Sequence, residues 1–152
     1  MSIIKYTQEI ILRDLGAMKD EIRNTDQGLL WSTEAGITNS VGTLCSHICG
    51  NLRHFIGAVI GKDNYIRDRE AEFQRTYMTK DEILITIDET IKAVESALKS
   101  ITEKDLKNKM SETPPQHNGK TIGFFLIQLC CHLSRHRGQL DYLRRISKAR
   151  NK

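Results

Sequence analysis

The sequence predicts an all-α protein, a four-helix bundle with long connections between its helices. Four segments repeat apolar residues at steps of three and four, which is the period of an amphipathic helix. Only 2 prolines and 10 glycines interrupt the 152 residues, and no segment alternates strongly enough to indicate a sheet. Helices of this kind, each with one apolar stripe, bury those stripes best against one another in a bundle.

The four helices are predicted over residues 3–24, 40–60, 79–100 and 120–147. Ser40 is a suitable N-cap, and "TKDE" from Thr79 onward is a capping box. The connections are longer than the ~2–8 residues that join most bundle helices. We therefore expect them to cross the ends of the bundle and form walls over it.

The length of the chain predicts a single domain over residues 1–152. The formal net charge is +4, and basic residues gather only in the tail "RRISKARNK". We interpret this tail as a solvated helix end, so a nucleic-acid partner is not expected. There is no secretory signal and no apolar run near the ~20 residues that span a bilayer. We therefore expect a cytoplasmic protein without a membrane partner.

The cysteines are predicted to be reduced and to serve as small buried residues, as they lie inside helical patterns. They are Cys45, Cys49, Cys130 and Cys131. Cys45 and Cys49 are one helical turn apart, which leaves a cysteine metal site as an alternative. No second pair stands at the spacing of a zinc ribbon, so that alternative is not favoured.

Histidines at helical spacing are the main functional signal. In "QLCCHLSRHRGQLDYLRR", His132 and His136 are one turn apart and point toward the apolar side of the fourth helix. A buried neutral imidazole has a donor and an acceptor to satisfy, and two such rings can bind one transition metal. His47 on the second helix is the third ligand candidate, and His54, which shares its face, is the substitute. A hydrogen-bonded core histidine is the alternative interpretation.

Polar residues beside the histidines are candidates for outer contacts. Gln139 lies one turn beyond His136 and Asn51 one turn beyond His47, so each is placed to orient a ring or a bound water. No inward carboxylate stands out as a general base, which disfavours hydrolysis. Trp31 in the first connection is either a lid or an anchor for that connection.

The connection after the second helix, residues 61–82, is rich in charge. A solvated loop is the favoured interpretation. In the alternative, it folds over the metal end, and Arg67 or Arg69 binds an anionic substrate group. The other residues singled out in it are Tyr65, Glu72 and Phe73.

Two segments together resemble a known family over nearly the whole chain. They are "HLSRHRGQLDYLRR" and "SVGTLCSHICGNLRHFIG". With their order, their spacing and the four-helix background, the chain resembles the DinB-like, or DinB/YfiT-like, metalloenzyme superfamily. The resemblance implies a four-helix bundle with a divalent metal at one end, nickel or zinc, bound by His47, His132 and His136. It also implies a homodimer.

The resemblance further implies a function, because some members are thiol transferases or isomerases. The expected function is a metal-dependent enzyme that joins a low-molecular-weight thiol to an electrophilic small molecule. The alternatives are a non-catalytic metal-binding or stress-related dimeric module, and a metal-dependent hydrolase.

Overall fold

The structure is a computed structural model that describes residues 2–74 and 78–151, and it is all-α. Within these ranges there is no strand, only an isolated antiparallel bridge between Lys109 and Thr121. A π-helix, Arg53–Ile60, continues the second α-helix, and short 3₁₀ turns occupy parts of the connections. The α-helices are α1 Ile3–Arg23, α2 Val41–Leu52, α3 Arg69–Glu72, α4 Lys80–Lys99 and α5 Ile122–Arg150.

Each of the four long helices begins at a hydroxyl side chain that accepts a hydrogen bond from the first turn. These N-caps are Ser2, Ser40, Thr79 and Thr121. At Thr79 the side chain of Glu82 also accepts from the backbone N–H of the cap, which completes the predicted capping box. The predictions for Ser40 and Thr79 are therefore confirmed.

Helix boundaries differ from the prediction in two places. The second helix is α-helical only to Leu52 and then widens, so that the N–H of Gly61 donates to the carbonyl of Ile56 at 2.8 Å. The wider turns bring Gly61 against α4, where an added Cβ would come within 2.5 Å of Ala97. The last helix begins later than predicted, because Thr121 caps it, and continues to Arg150, which pairs with Glu34 in the first connection.

The long helices share one hydrophobic core. Both α1 and α2 pack against α4 and α5, and the π-helix packs against α4. The α1 and α5 helices run parallel, since Cys130 lies 3.8 Å from the carbonyl of Thr7 and Arg144 pairs with Glu21 further along both helices. The predicted apolar stripes are buried apart from Val59, Ile91 and Ile122, which pack against the core while partly exposed.

The first connection is fixed to the body of the protein by Trp31. Its indole N–H donates to the carbonyl of Met78 at 2.9 Å. Its ring lies against Gly42, where an added Cβ would come within 2.6 Å of the indole. Of the two roles considered for Trp31, the contacts are those of an anchor.

The basic tail is largely neutralised by carboxylates. Arg144 contacts Glu21, Arg145 lies 3.7 Å from Asp141, and Arg150 contacts Glu34. Lys152, which was counted with this tail, lies outside the described residues. Over residues 2–74 and 78–151, none of the helices has the length and apolar character that a membrane crossing requires.

Candidate metal centre

Three histidines converge between α2 and α5. His47 projects from α2, and His132 and His136 project from α5 one turn apart. One nitrogen of each ring lies within 4.8 Å of the others. Among the described residues, this is the one cluster of three or more histidine, cysteine or carboxylate side chains that could hold a metal ion. His47 Nε2 is 3.2 Å from His132 Nε2. The structure thus brings together the three residues that the sequence analysis selected.

A buried carboxylate orients the His47 ring. Glu72 of α3 is only 2% exposed, and its Oε2 lies 3.0 Å from His47 Nδ1. The same carboxylate accepts two hydrogen bonds from Arg67, at 2.6 Å and 2.9 Å. Since an ionised carboxylate can only accept, the Nδ1 of His47 donates to Glu72, and its Nε2 is the nitrogen that faces His132.

A glycine makes room for this carboxylate. Gly50 is three residues after His47 on α2, and a Cβ built on it would lie 2.0 Å from Glu72 Oε1. Any larger residue would displace the carboxylate. Gly50 therefore lets α3 approach α2 closely enough for Glu72 to reach the ring.

Gln139 makes the corresponding contact with the ring of His136. Its Oε1 lies 2.7 Å from His136 Nδ1. The amide oxygen is an acceptor, so this ring also holds its proton on Nδ1 and leaves Nε2 free. The contact is the one the sequence analysis considered for Gln139.

The electrostatics of the centre keep the α5 histidines neutral. Burial, with smaller contributions from His136 and His47, lowers the pKa of His132 to about 4. Burial also lowers the pKa of His136, against the hydrogen bond to Gln139. Burial alone would raise the pKa of Glu72, but the hydrogen bonds from His47 and Arg67 outweigh it and lower that pKa. At neutral pH, the α5 imidazoles are therefore neutral, and the carboxylate beside His47 is ionised.

These features fit a transition-metal ion. Two nitrogens bound to one zinc in tetrahedral geometry are ~3.3 Å apart, close to the 3.2 Å between His47 Nε2 and His132 Nε2. Free lone pairs on neutral rings are the form that a metal requires, and outer hydrogen bonds to ligating histidines are the usual arrangement. The donor set would leave further positions on the ion open.

An open cleft of about 610 Å³ adjoins the centre, and His47 and His132 lie in its wall. Its other walls come from α2 and the π-helix, from the 61–74 connection, and from residues 112–116 before α5. We call it the polar cleft, because Asn51, Arg69 and Gln116 contribute to its lining. Its volume lies in the ~300–1,000 Å³ range of small-molecule sites.

The remaining candidate residues lie around the centre. His54 is not part of the histidine group, and its Nε2 lies 2.8 Å from Glu112. Asn51 is nearly buried, and its Oδ1 has no hydrogen-bond partner among the described residues. Arg69 is exposed, with its guanidinium carbon 5.8 Å from the centre of the Phe73 ring.

The cysteines take no part in the histidine group. All of them are free, and Cys45, Cys49 and Cys130 are buried as predicted. Cys131 is exposed, so the prediction is wrong for this residue. It lies on the outer face of α5, next to the inward His132.

The sequence analysis missed Glu72. It found no inward carboxylate and favoured a solvated loop, but the 61–74 connection folds onto α2 and buries Glu72 beside His47. Two N–H donors of Arg67 hold this carboxylate, so they are not free to bind an anionic substrate group. Asp68 caps α3, and a capping residue directly before "REAE" was the available signal for a short helix there.

The fold and the centre define a class of all-α proteins with a three-histidine group between two helices. The chain matches the family described as "Protein of unknown function (DUF1572)" over residues 7–151, and it belongs to that family. No curated protein matches the chain.

Proposed function

We propose that this protein is a metal-dependent enzyme of the DinB/YfiT-like superfamily, and that His47, His132 and His136 bind one nickel or zinc ion. The observation that carries the proposal is the convergence of three ring nitrogens within 4.8 Å. The contacts of Glu72 and Gln139 with the outer nitrogens of two of these rings support it. A core histidine without such a role would not need two neighbouring imidazoles and an ionised carboxylate.

The superfamily assignment includes a four-helix-bundle arrangement of α1, α2, α4 and α5 in a single domain. The packing of both α1 and α2 against α4 and α5 supports this arrangement. A family match that spans residues 7–151 supports a single domain. The homodimer and the cytoplasmic location stay predictions from the sequence.

The reaction class proposed is transfer of a low-molecular-weight thiol to an electrophile. A bound divalent ion lowers the pKa of a thiol that coordinates it. In the transfer, the sulfur forms a bond to an electrophilic carbon, the bond from that carbon to its leaving group breaks with its electron pair, and the thiol proton passes to solvent in the open polar cleft. Glu72 holds the His47 ring, Gln139 holds the His136 ring, and the walls of the cleft position the thiol.

Hydrolysis is the less favoured chemistry for this centre. Glu72 is the buried carboxylate nearest the histidines, but its oxygens accept hydrogen bonds from His47 and Arg67. A carboxylate used in this way positions a ring and is not free to take a proton from water. A non-catalytic metal-binding module uses the same three ligands, and turnover is what separates it from the enzyme.

Metal analysis of the purified protein tests the ligand set. After supplementation with nickel or zinc, we expect one ion per chain in the wild type and in His54→Ala, and none retained in His132→Ala. His54→Ala is the matched control, because this histidine shares the second helix with His47 but lies outside the group. Wild-type protein without stoichiometric metal would refute the proposal, and loss of metal in His54→Ala would reassign the third ligand.

A thiol screen tests the reaction. Metal-loaded protein is incubated with a low-molecular-weight thiol and an electrophile, and consumption of the electrophile is followed against a protein-free blank. We expect turnover that disappears on chelation and in His47→Ala. Stoichiometric metal without turnover across thiols and electrophiles would favour the non-catalytic module.

A further inference from the structure

A second cavity lies on the other side of the histidines from the polar cleft. It is an open groove of about 320 Å³ between the start of α2 and the second half of α5. Most of its lining is apolar and comes from Ile37, Leu44, Tyr142, Leu143 and Ile146. None of the described residues that line it is charged. We call it the apolar groove.

The apolar groove, the histidines and the polar cleft follow one another along the contact between α2 and α5. Leu44 of α2 lies with Leu143 of α5 in the groove. One turn further along α2, His47 meets His132 and His136. One turn further again, Asn51 lines the polar cleft. The centre therefore separates an apolar cavity from a polar one.

Gln139 connects the groove to the centre. It lines the groove, and its Oε1 is the atom 2.7 Å from His136 Nδ1. A molecule in the groove would therefore lie against the side chain that holds one of the three rings. Phe73, an exposed apolar residue outside the groove, also contacts the centre, with its ring 5.4 Å from the ring of His47.

We propose that the apolar groove binds the apolar part of the electrophilic substrate, a small uncharged molecule that carries an alkyl or aryl group. This inference rests on the proposed function and names the substrate class for the same centre. A cavity with apolar walls and no charge favours an uncharged occupant, because a charged group would lose its hydration there without gaining a partner. The polar thiol then occupies the polar cleft, and the two substrates meet at the histidines.

The size and position of the groove suit a small molecule. Its volume lies at the lower end of the ~300–1,000 Å³ of small-molecule pockets, and it adjoins the side chain of Gln139. Two apolar residues of its lining are exposed, Ile37 at 42% and Tyr142 at 68%, and the guanidinium carbon of Arg145 lies 5.9 Å from the centre of the Tyr142 ring. These two residues provide substitutions that alter the groove without opening the core.

Binding of a neutral fluorescent probe, N-phenyl-1-naphthylamine, to metal-free protein tests the groove independently of metal and turnover. We expect saturable binding of one probe per chain, weakened about tenfold or more in the double variant Ile37→Ser with Tyr142→Ser. The matched control is Ile85→Ser with Ile127→Ser, which removes two exposed apolar side chains elsewhere and should bind as the wild type does.

Absence of saturable binding, or equal affinities of the wild type and the groove variant, would overturn the inference. If the groove variant instead converts a dimer to a monomer while the wild type binds no probe, the groove is an interface between two copies. The probe-binding experiment uses metal-free protein, so its outcome can be interpreted even if the wild type binds no metal. The proposed function and the proposed groove can therefore fail separately.

Proximity to the centre is tested with protein loaded with paramagnetic Co²⁺. We expect the NMR signals of the bound probe to shift and broaden, and the effect to disappear in His132→Ala while the probe still binds. Unchanged signals from a probe bound to cobalt-loaded wild type would overturn the link between groove and centre.

Discussion

Replacing Glu72 by glutamine tests whether the buried carboxylate prepares His47 for a metal. The carboxylate accepts from His47 Nδ1 and from two nitrogens of Arg67, and Oε2 serves both partners. Glutamine has one acceptor oxygen. If that oxygen takes the Oε2 position, the new NH₂ group faces the N–H of Arg67 Nε, and at least one hydrogen bond becomes a contact between two donors.

The magnitudes follow from the burial of the pair. Arg67 is 11% exposed and Glu72 is 2% exposed, so solvent replaces little of what is lost. Loss of a charge-assisted hydrogen bond predicts about 1.5–3 kcal/mol off the free energy of unfolding. Loss of an outer-shell partner predicts a metal affinity about 10–100-fold lower. Both the stability and the metal affinity are therefore expected to fall.

Competition with a chromophoric chelator measures the affinity, and chemical denaturation of metal-free protein measures the stability. Glu70→Gln is the matched control, since Glu70 is exposed on the same short helix. Equal zinc affinities for Glu72→Gln, Glu70→Gln and the wild type would refute the reasoning, whatever the change in stability.

Three further predictions concern the packing, the pH dependence and the assembly. Gly50→Ala should lower the free energy of unfolding and the metal affinity, because its Cβ displaces Glu72. Gly16→Ala is the control: its Cβ meets nothing within 4 Å, so it should stabilise its helix by up to ~1 kcal/mol. Shifts of the denaturation midpoint in the same direction for both variants would contradict this. The pKa of His132 is about 4 when folded and ~6.5 when unfolded, so only the unfolded state takes up a proton between these values. Metal-free wild type should therefore lose stability relative to His132→Asn as the pH falls through this window, and parallel denaturation profiles would exclude it. Light scattering should give twice the chain mass of 17.4 kDa for the predicted homodimer, and a mass of one chain would exclude it.

The parts of the fold that could be predicted from sequence were those that local chemistry determines. Apolar periodicity located the four long helices, and the hydroxyl caps placed Ser40 and Thr79 to the residue. The i, i+4 spacing of His132 and His136 required both rings to share a face wherever α5 packed. These features need only neighbours in the chain.

The parts that could not be predicted depend on contacts between distant segments. The carboxylate of Glu72 reaches His47 only because Gly50 leaves space on another helix. The change from α to π geometry after Leu52 depends on how closely that segment approaches α4. No periodicity within either segment carries this information, so the 61–74 connection looked like a solvated loop.

The contact between Trp31 and Gly42 gives the protein an internal optical probe. Trp31 is the one tryptophan in the chain, so all indole emission comes from a ring that rests on the first turn of α2. Gly42 is five residues before His47 on the same helix. Detachment of the first connection would hydrate this ring and move its emission to longer wavelength. Steady-state fluorescence therefore reports, without any label, whether the first connection stays packed against the helix that carries His47.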